Sequence, residues 1–191
     1  MLRPALLSLT LTLLLPLAAQ ARNDAAVYDA EVISITYGAF CQQQSVGEVP
    51  APDTAAEKID LLPGAPEIRW QTNRIPATPG ISFGIRTQTA GDAVYSPVLI
   101  EVTHPPFAGS GTTRQSYVTQ LGGEGASINA YSFDLREEMV TGPWTFRAWH
   151  NGKPLYEVRF EVVPPDMAPE IGAECGKEFI SRNGAARARV S

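Results

Sequence analysis

The chain lacks nearly everything that announces an enzyme. It holds only two histidines and two cysteines among 191 residues. Nucleophilic hydrolysis needs a base within hydrogen-bond reach of a serine or cysteine, and the only imidazoles are His104 and His150. Neither a GxSxG elbow nor an SxxK motif is present. No CxxC or HxxxH spacing supplies a metal site, and no Asp/Asn-rich loop suits calcium. The stretch "AGSGTTR" at 108–114 sets Arg114 beside a glycine turn, but a phosphate loop also needs a lysine and an opening helix. Glycosidase-type carboxylates must face one another across a cleft. Glu137 and Glu138 are adjacent on a turn and point different ways, while Glu124 and Asp134 have no visible partner. The pattern calls for no cofactor and no metal.

Basic charge is also scarce. Lys and Arg number 15 against 20 acids, a formal charge of −5. Nucleic-acid and anionic-membrane binders need basic surfaces, so both classes are disfavoured. The one basic cluster, Arg182, Arg187 and Arg189 in "SRNGAARARVS", sits among Gly, Ala and Ser with almost no apolar surface to bury. It reads as a flexible basic tail over 176–191.

Long apolar runs are absent except at the start. "MLRPALLSLTLTLLLPLAAQA" has one charge, Arg3, then an uncharged core and the small-x-small triplet Ala19-Gln20-Ala21. This is the pattern of a secretory signal peptide over 1–21, too short for a membrane span. The expectation is a periplasmic or secreted protein with no span after cleavage. Cys41 and Cys175, an even pair in an exported chain, are expected to form a disulfide.

Helical periodicity is missing too. Sixteen prolines and sixteen glycines punctuate short runs of period two, which is how an all-β chain reads. Strands are expected at Tyr28 to Phe40, Glu67 to Thr72, Ile81 to Thr87, Pro97 to Thr103, Gln115 to Leu121 and Ile128 to Leu135. One further short strand is expected at Lys58 to Leu62. The segment "GPWTFRAWHNGKPLYEVRFEVV" alternates on both arms of an Asn151-Gly152 turn, the strongest hairpin signal a sequence carries. About seven to eight short strands fit an immunoglobulin-like antiparallel β-sandwich over 22–175, with a small β-barrel as the alternative.

In such a sandwich His104 and His150 fall at opposite ends, which counts against a shared centre. In "VTHPPF" the strand ends at His104 because Pro105 and Pro106 donate nothing to a ladder. That stretch reads first as a rigid terminator and second as the base of a binding loop over 104–113. The residues singled out for binding are His104, Phe107, Arg114 and Trp149. Trp144 is in phase with Phe146 and belongs to the core, whereas Trp149 shares the opposite face with Arg147.

The motifs "ITYGAFC", "IPATPGISFGIR", "VTHPPF" and "GPWTFRAW", with the strand from Leu155 to Val162, taken together resemble a family of exported bacterial, mainly alphaproteobacterial, proteins known only as a domain of unknown function. The resemblance spans residues 31 to 164. It implies an extracytoplasmic β-rich domain and carries over no catalytic or binding residue. The leading expectation is a non-catalytic binding or envelope-accessory module contacting another envelope or extracellular protein through end loops or an edge strand. The alternatives are a periplasmic hydrolase using His104 near Ser110 or Arg114, and a carbohydrate-binding domain using Trp149 and Trp70.

Overall fold

The computed structural model describes residues 25–30 and 33–175. The expected signal segment at 1–21 and the expected tail at 176–191 lie outside the described residues. Eleven strands follow in order: β1 (Ala26–Tyr28), β2 (Ile33–Cys41), β3 (Gly47–Pro50), β4 (Lys58–Leu61), β5 (Arg74–Pro76), β6 (Ile81–Thr89), β7 (Val94–Thr103), β8 (Arg114–Gly122), β9 (Ser127–Ser132), β10 (Gly142–His150) and β11 (Lys153–Val163). One sheet runs β1-β11-β10-β7-β8, with β5 also alongside β11; the second runs β2-β6-β9; β3 and β4 form a separate hairpin. All ladders are antiparallel except β5 with β11. Neither large sheet closes on itself, so the architecture is a sandwich and not a barrel.

The core follows from strand parity. Val98, Ile100 and Val102 of β7, Trp144, Phe146 and Ala148 of β10, and Tyr156, Val158, Phe160 and Val162 of β11 are all buried. They meet Ile81, Phe83 and Ile85 of β6 from the facing sheet. Phe83 is the centre: its ring lies 5.5, 5.7 and 5.2 Å from Trp144, Phe146 and Phe160, each edge-to-face. The β10–β11 turn uses Asn151 and Gly152 at φ of 49° and 75°, the left-handed pair a two-residue hairpin demands.

The structure departs from the sequence reading in five places. The single strand expected over Tyr28 to Phe40 is two: β1 ends at Tyr28 and pairs with β11, whereas β2 begins at Ile33, whose N–H donates to the Asp29 carbonyl at 2.9 Å, and pairs with β6 in the other sheet. Glu67 to Thr72 is not a strand; Trp70 makes only an isolated bridge to Ala39. The β3 strand was not expected, because Glu48, Val49 and Pro50 are all exposed and a hairpin with no buried face leaves no period-two pattern. The three-residue β5 is too short to show one. Leu135 does not continue the face of Tyr131 and Phe133: β9 ends at Ser132, and Leu135 is half exposed at the start of a 3₁₀ turn over Arg136–Glu138.

Cys41 and Cys175 form the expected disulfide, with Cα atoms 5.0 Å apart. The helical residues 169–175 bring Cys175 to the end of β2. Two glycines permit close approaches that any side chain would block. A Cβ on Gly38, whose φ is +150°, would lie 1.9 Å from the Trp70 carbonyl oxygen. A Cβ on Gly84 would lie 2.2 Å from the Asn129 carbonyl oxygen and 2.5 Å from Ala130 Cα, so this glycine sets how tightly β9 seats on β6. Gly84→Ala is expected to lower unfolding stability in urea by about 1–3 kcal/mol, the usual cost of overpacking, whereas Gly64→Ala, in open space, should leave it nearly unchanged.

Candidate functional site

His104 is 6 % exposed and ends the inward row of β7. Its ring stacks on Phe107, at 3.9 Å, and on Trp144, at 4.5 Å. Both nitrogens are engaged. Gln115 accepts from the Ala55 backbone N–H through Oε1 at 2.7 Å, which turns its amide nitrogen toward His104 Nε2 at 3.0 Å. An amide N–H can only donate, so Nε2 accepts and the proton sits on Nδ1. That proton is donated to the Pro105 carbonyl at 2.8 Å. Burial lowers the His104 pKa, opposed by the Pro105 hydrogen bond. The ring is held neutral in one tautomer with no lone pair free. A base for Ser110 is therefore not available here, and the Ser110 hydroxyl instead accepts the Thr112 N–H at 3.2 Å.

The other singled-out residues do not converge. Phe107 is 3 % exposed and turned into the core. Arg114 is exposed on the outer face of the first sheet and ion-paired with Glu101 at 2.6 Å. That pair begins a chain of alternating charge across four strands: Arg114, Glu101, Arg147, Glu157, Arg159. The hydrogen bond from Arg147 holds the Glu157 carboxyl below the usual carboxylate range. Trp149 lies on the same outer face, in register with Leu99, which in turn pairs with Val118. Trp70 lies across the molecule beside β2, under the Arg69 guanidinium. Trp149 and Trp70 thus do not share a surface. His150 is bonded to the Pro97 carbonyl at the end opposite His104.

A cleft that no single motif announced lies where the two sheets part. β8 edges one sheet and the next strand, β9, edges the other. The β3–β4 hairpin roofs the gap, pinned to β8 by Ser116 N–H to the Asp53 carbonyl at 3.1 Å and by the Gln115 contact with Ala55. The cavity has a volume of 340 Å³ and is lined by Tyr117, Thr119, Asn129 and Tyr131 from the sandwich interior, and by Phe40, Ser82, Ala130 and Ser132 from the other side of β9. Lys58 and Asp60 of the roof and Asp134 and Glu138 of the floor add charge. Glu138 is buried, and its carboxylate accepts the Asp134 and Leu135 N–H groups at 3.1 and 3.0 Å. Burial pushes the Asp134 carboxyl up, against a hydrogen bond from Gln42. Burial also raises the Tyr117 and Tyr131 hydroxyls. Tyr117 donates to Asn129 Oδ1 at 3.2 Å. The signal in the sequence was polar residues in an inward phase: Gln115 in line with Leu121, and Asn129 in line with Phe133.

Among the described residues no group of His, Cys, Asp and Glu could hold a metal ion. No described helix is long and apolar enough to cross a membrane. The sheet topology defines an immunoglobulin-like β-sandwich with an edge cleft and an added hairpin. The chain belongs to the family described as a domain of unknown function, DUF3859, whose model matches residues 29–162. Among solved structures it is similar to an immunoglobulin-like protein from Pseudomonas aeruginosa, at 23 % identity and a TM-score of 0.49, covering 72 % of this chain and 96 % of that one. No curated protein matches the chain.

The lowered His104 pKa has a definite sign for stability. The unfolded histidine, near pKa ~6.5, takes up a proton more readily than the folded one, so this contribution is full above that pH and declines as pH falls below it. Urea unfolding of the wild type should show stability dropping from pH 7.5 to pH 5. His104→Gln, which has no imidazole to titrate, should show a smaller drop; an equal drop would assign the pH dependence to other groups.

Proposed function

We propose that this protein is an exported, non-catalytic binding module that takes its ligand in the cleft between β8, β9 and the β3–β4 roof. On this reading residues 1–21 are a cleaved signal, residues 22–175 the domain and 176–191 a tail. The disulfide supports an oxidising compartment outside the cytoplasm. The observation that carries the binding reading is the cleft itself. It joins apolar walls to a few convergent polar groups, the general make-up of ligand sites. No serine in it faces a free base: Ser82 and Ser132 are bonded to each other at 2.6 Å.

The hydrolase reading needs His104 as a base, and both of its nitrogens are spoken for. The binding reading needs only what the cleft has. The 104–113 loop turns His104 and Phe107 into the core, which favours the sheet-edge cleft over that end loop as the contact surface.

Affinity capture from envelope extract tests this. Wild-type bait should retain a reproducible ligand or protein that a folded Thr119→Phe bait, with its cleft filled, does not retain. Equal capture by both baits, or turnover of an ester, peptide or glycan panel that His104→Gln abolishes, would overturn the reading.

A further inference from the structure

We infer that the cleft accepts an extended peptide, added as a new strand to the free edge of β9, with a basic residue near Asp134. This rests on the reading of the cleft as a binding site. The argument begins with hydrogen-bond phase. Phe133 N–H is bonded to the Ile81 carbonyl at 3.2 Å. In the β6–β9 register this makes Tyr131 with Phe83 and Asn129 with Ile85 the bonded pairs. The N–H and C=O groups of Ile128, Ala130 and Ser132 must then point away from β6. Among the described residues no backbone or side-chain partner meets them.

The corresponding groups on two other edges are met. Ala39 on the free side of β2 exchanges hydrogen bonds with Arg69 and Trp70. Ser116 on the free side of β8 bonds the Asp53 carbonyl. Proteins commonly cover, charge or twist exposed edges to prevent stray pairing. Here the β9 edge is recessed instead, and Ile128, Ala130 and Ser132 all line the cleft.

The cleft also has room on both sides of that edge. Tyr117 and Thr119 lie toward the sandwich interior, and Phe40 and Ser82 lie on the opposite side. An added strand sends alternate side chains to opposite faces, so each face has its own wall. This is the arrangement by which edge-strand binders combine main-chain affinity with side-chain selectivity. The six residues of β9 offer a template about 20 Å long. Asn129, 3 % exposed, also lines the cleft, and its Nδ2 has no hydrogen-bond partner at standard geometry. The Tyr156 hydroxyl, which likewise has none, is close enough to act on it.

Charge sets the preference. The lining carries three carboxylates, Asp60, Asp134 and Glu138, against one amine, Lys58. Lys58 is already paired with Glu48 and Asp60. A lysine or arginine of the peptide near Asp134 would offset part of the remaining negative charge.

The probe is a phage-displayed library of random linear dodecapeptides panned against the full chain. Enriched peptides should alternate apolar residues around a lysine or arginine. N-methylating the backbone amides of one phase should weaken a synthetic peptide about tenfold or more, and the other phase should tolerate it. Ala130→Pro removes an edge donor without touching the β6 ladder and should weaken binding equally; Trp149→Ala should not. Should Ala130→Pro fail to fold, the methylated peptides decide alone. No enrichment, equal tolerance of methylation in both phases, or loss of binding in Trp149→Ala overturns the proposal. A concentration-dependent dimer abolished by Ala130→Pro also overturns it, assigning the edge to a second copy. If peptides fail while Thr119→Phe still abolishes capture from extract, the cleft binds something other than a strand and only this inference falls.

Discussion

The packing of Phe83 is the contact on which the rest of the molecule depends. Its ring comes from β6 in the smaller sheet and meets Trp144, Phe146 and Phe160 from the larger one. Tyr131 of β9 and Phe133 just beyond it close around it at 6.2 and 5.3 Å. These rings fix the spacing of the sheets along their middle. Aromatic pairs prefer such edge-to-face geometry, each worth about 0.5–1.5 kcal/mol beyond the area it buries. Beyond this cluster the chain leaves one sheet at Gly122 and enters the other at Ser127. The gap between β8 and β9 is the direct result.

The residues richest in chemistry are used to hold that gap in shape. His104 stacks on Trp144 and accepts from Gln115, and Gln115 accepts from Ala55 in the hairpin. A short chain of hydrogen bonds thus runs from the core to the roof. Buried polar networks of this kind are costly when incomplete and specific when satisfied. The imidazole is the middle of that chain, which accounts for its burial beside two aromatic rings and for its fixed tautomer. On the outer face of the larger sheet the five-residue ladder from Arg114 to Arg159 leaves its members paired with one another.

Much of the fold was legible in the sequence, and for a physical reason. Strands with one buried face must alternate, so β6, β7, β10 and β11 were visible from Ile81, Val98, Trp144 and Tyr156 onward. The Asn151-Gly152 turn was visible because few other residue pairs adopt positive φ twice in succession. The disulfide was visible from its even count. The opposite placement of His104 and His150 followed from strand reversal alone. What stayed hidden was everything without a buried face or without length: the exposed β3, which forms one arm of the roof, and the three-residue β1 and β5. The cleft was hidden for a different reason. It is made by an absence of pairing along β9, and no residue type encodes an unpaired edge. Gln115 and Asn129, polar residues in apolar phase, were the only trace of it.

Seen this way, the domain presents main-chain hydrogen-bonding groups in a walled slot and not a set of reactive side chains. On the proposed reading, Ile128, Ala130 and Ser132 offer them, the hairpin limits what reaches them, and the carboxylates bias the charge of what fits. The most direct measurement is residue-resolved hydrogen exchange by NMR on the protein alone. The amides of Asn129 and Tyr131, bonded to β6, should exchange slowly, while those of Ile128, Ala130 and Ser132 should exchange faster by orders of magnitude, in strict alternation along β9. Uniform protection along the strand would mean that the edge is already paired, and would contradict the account.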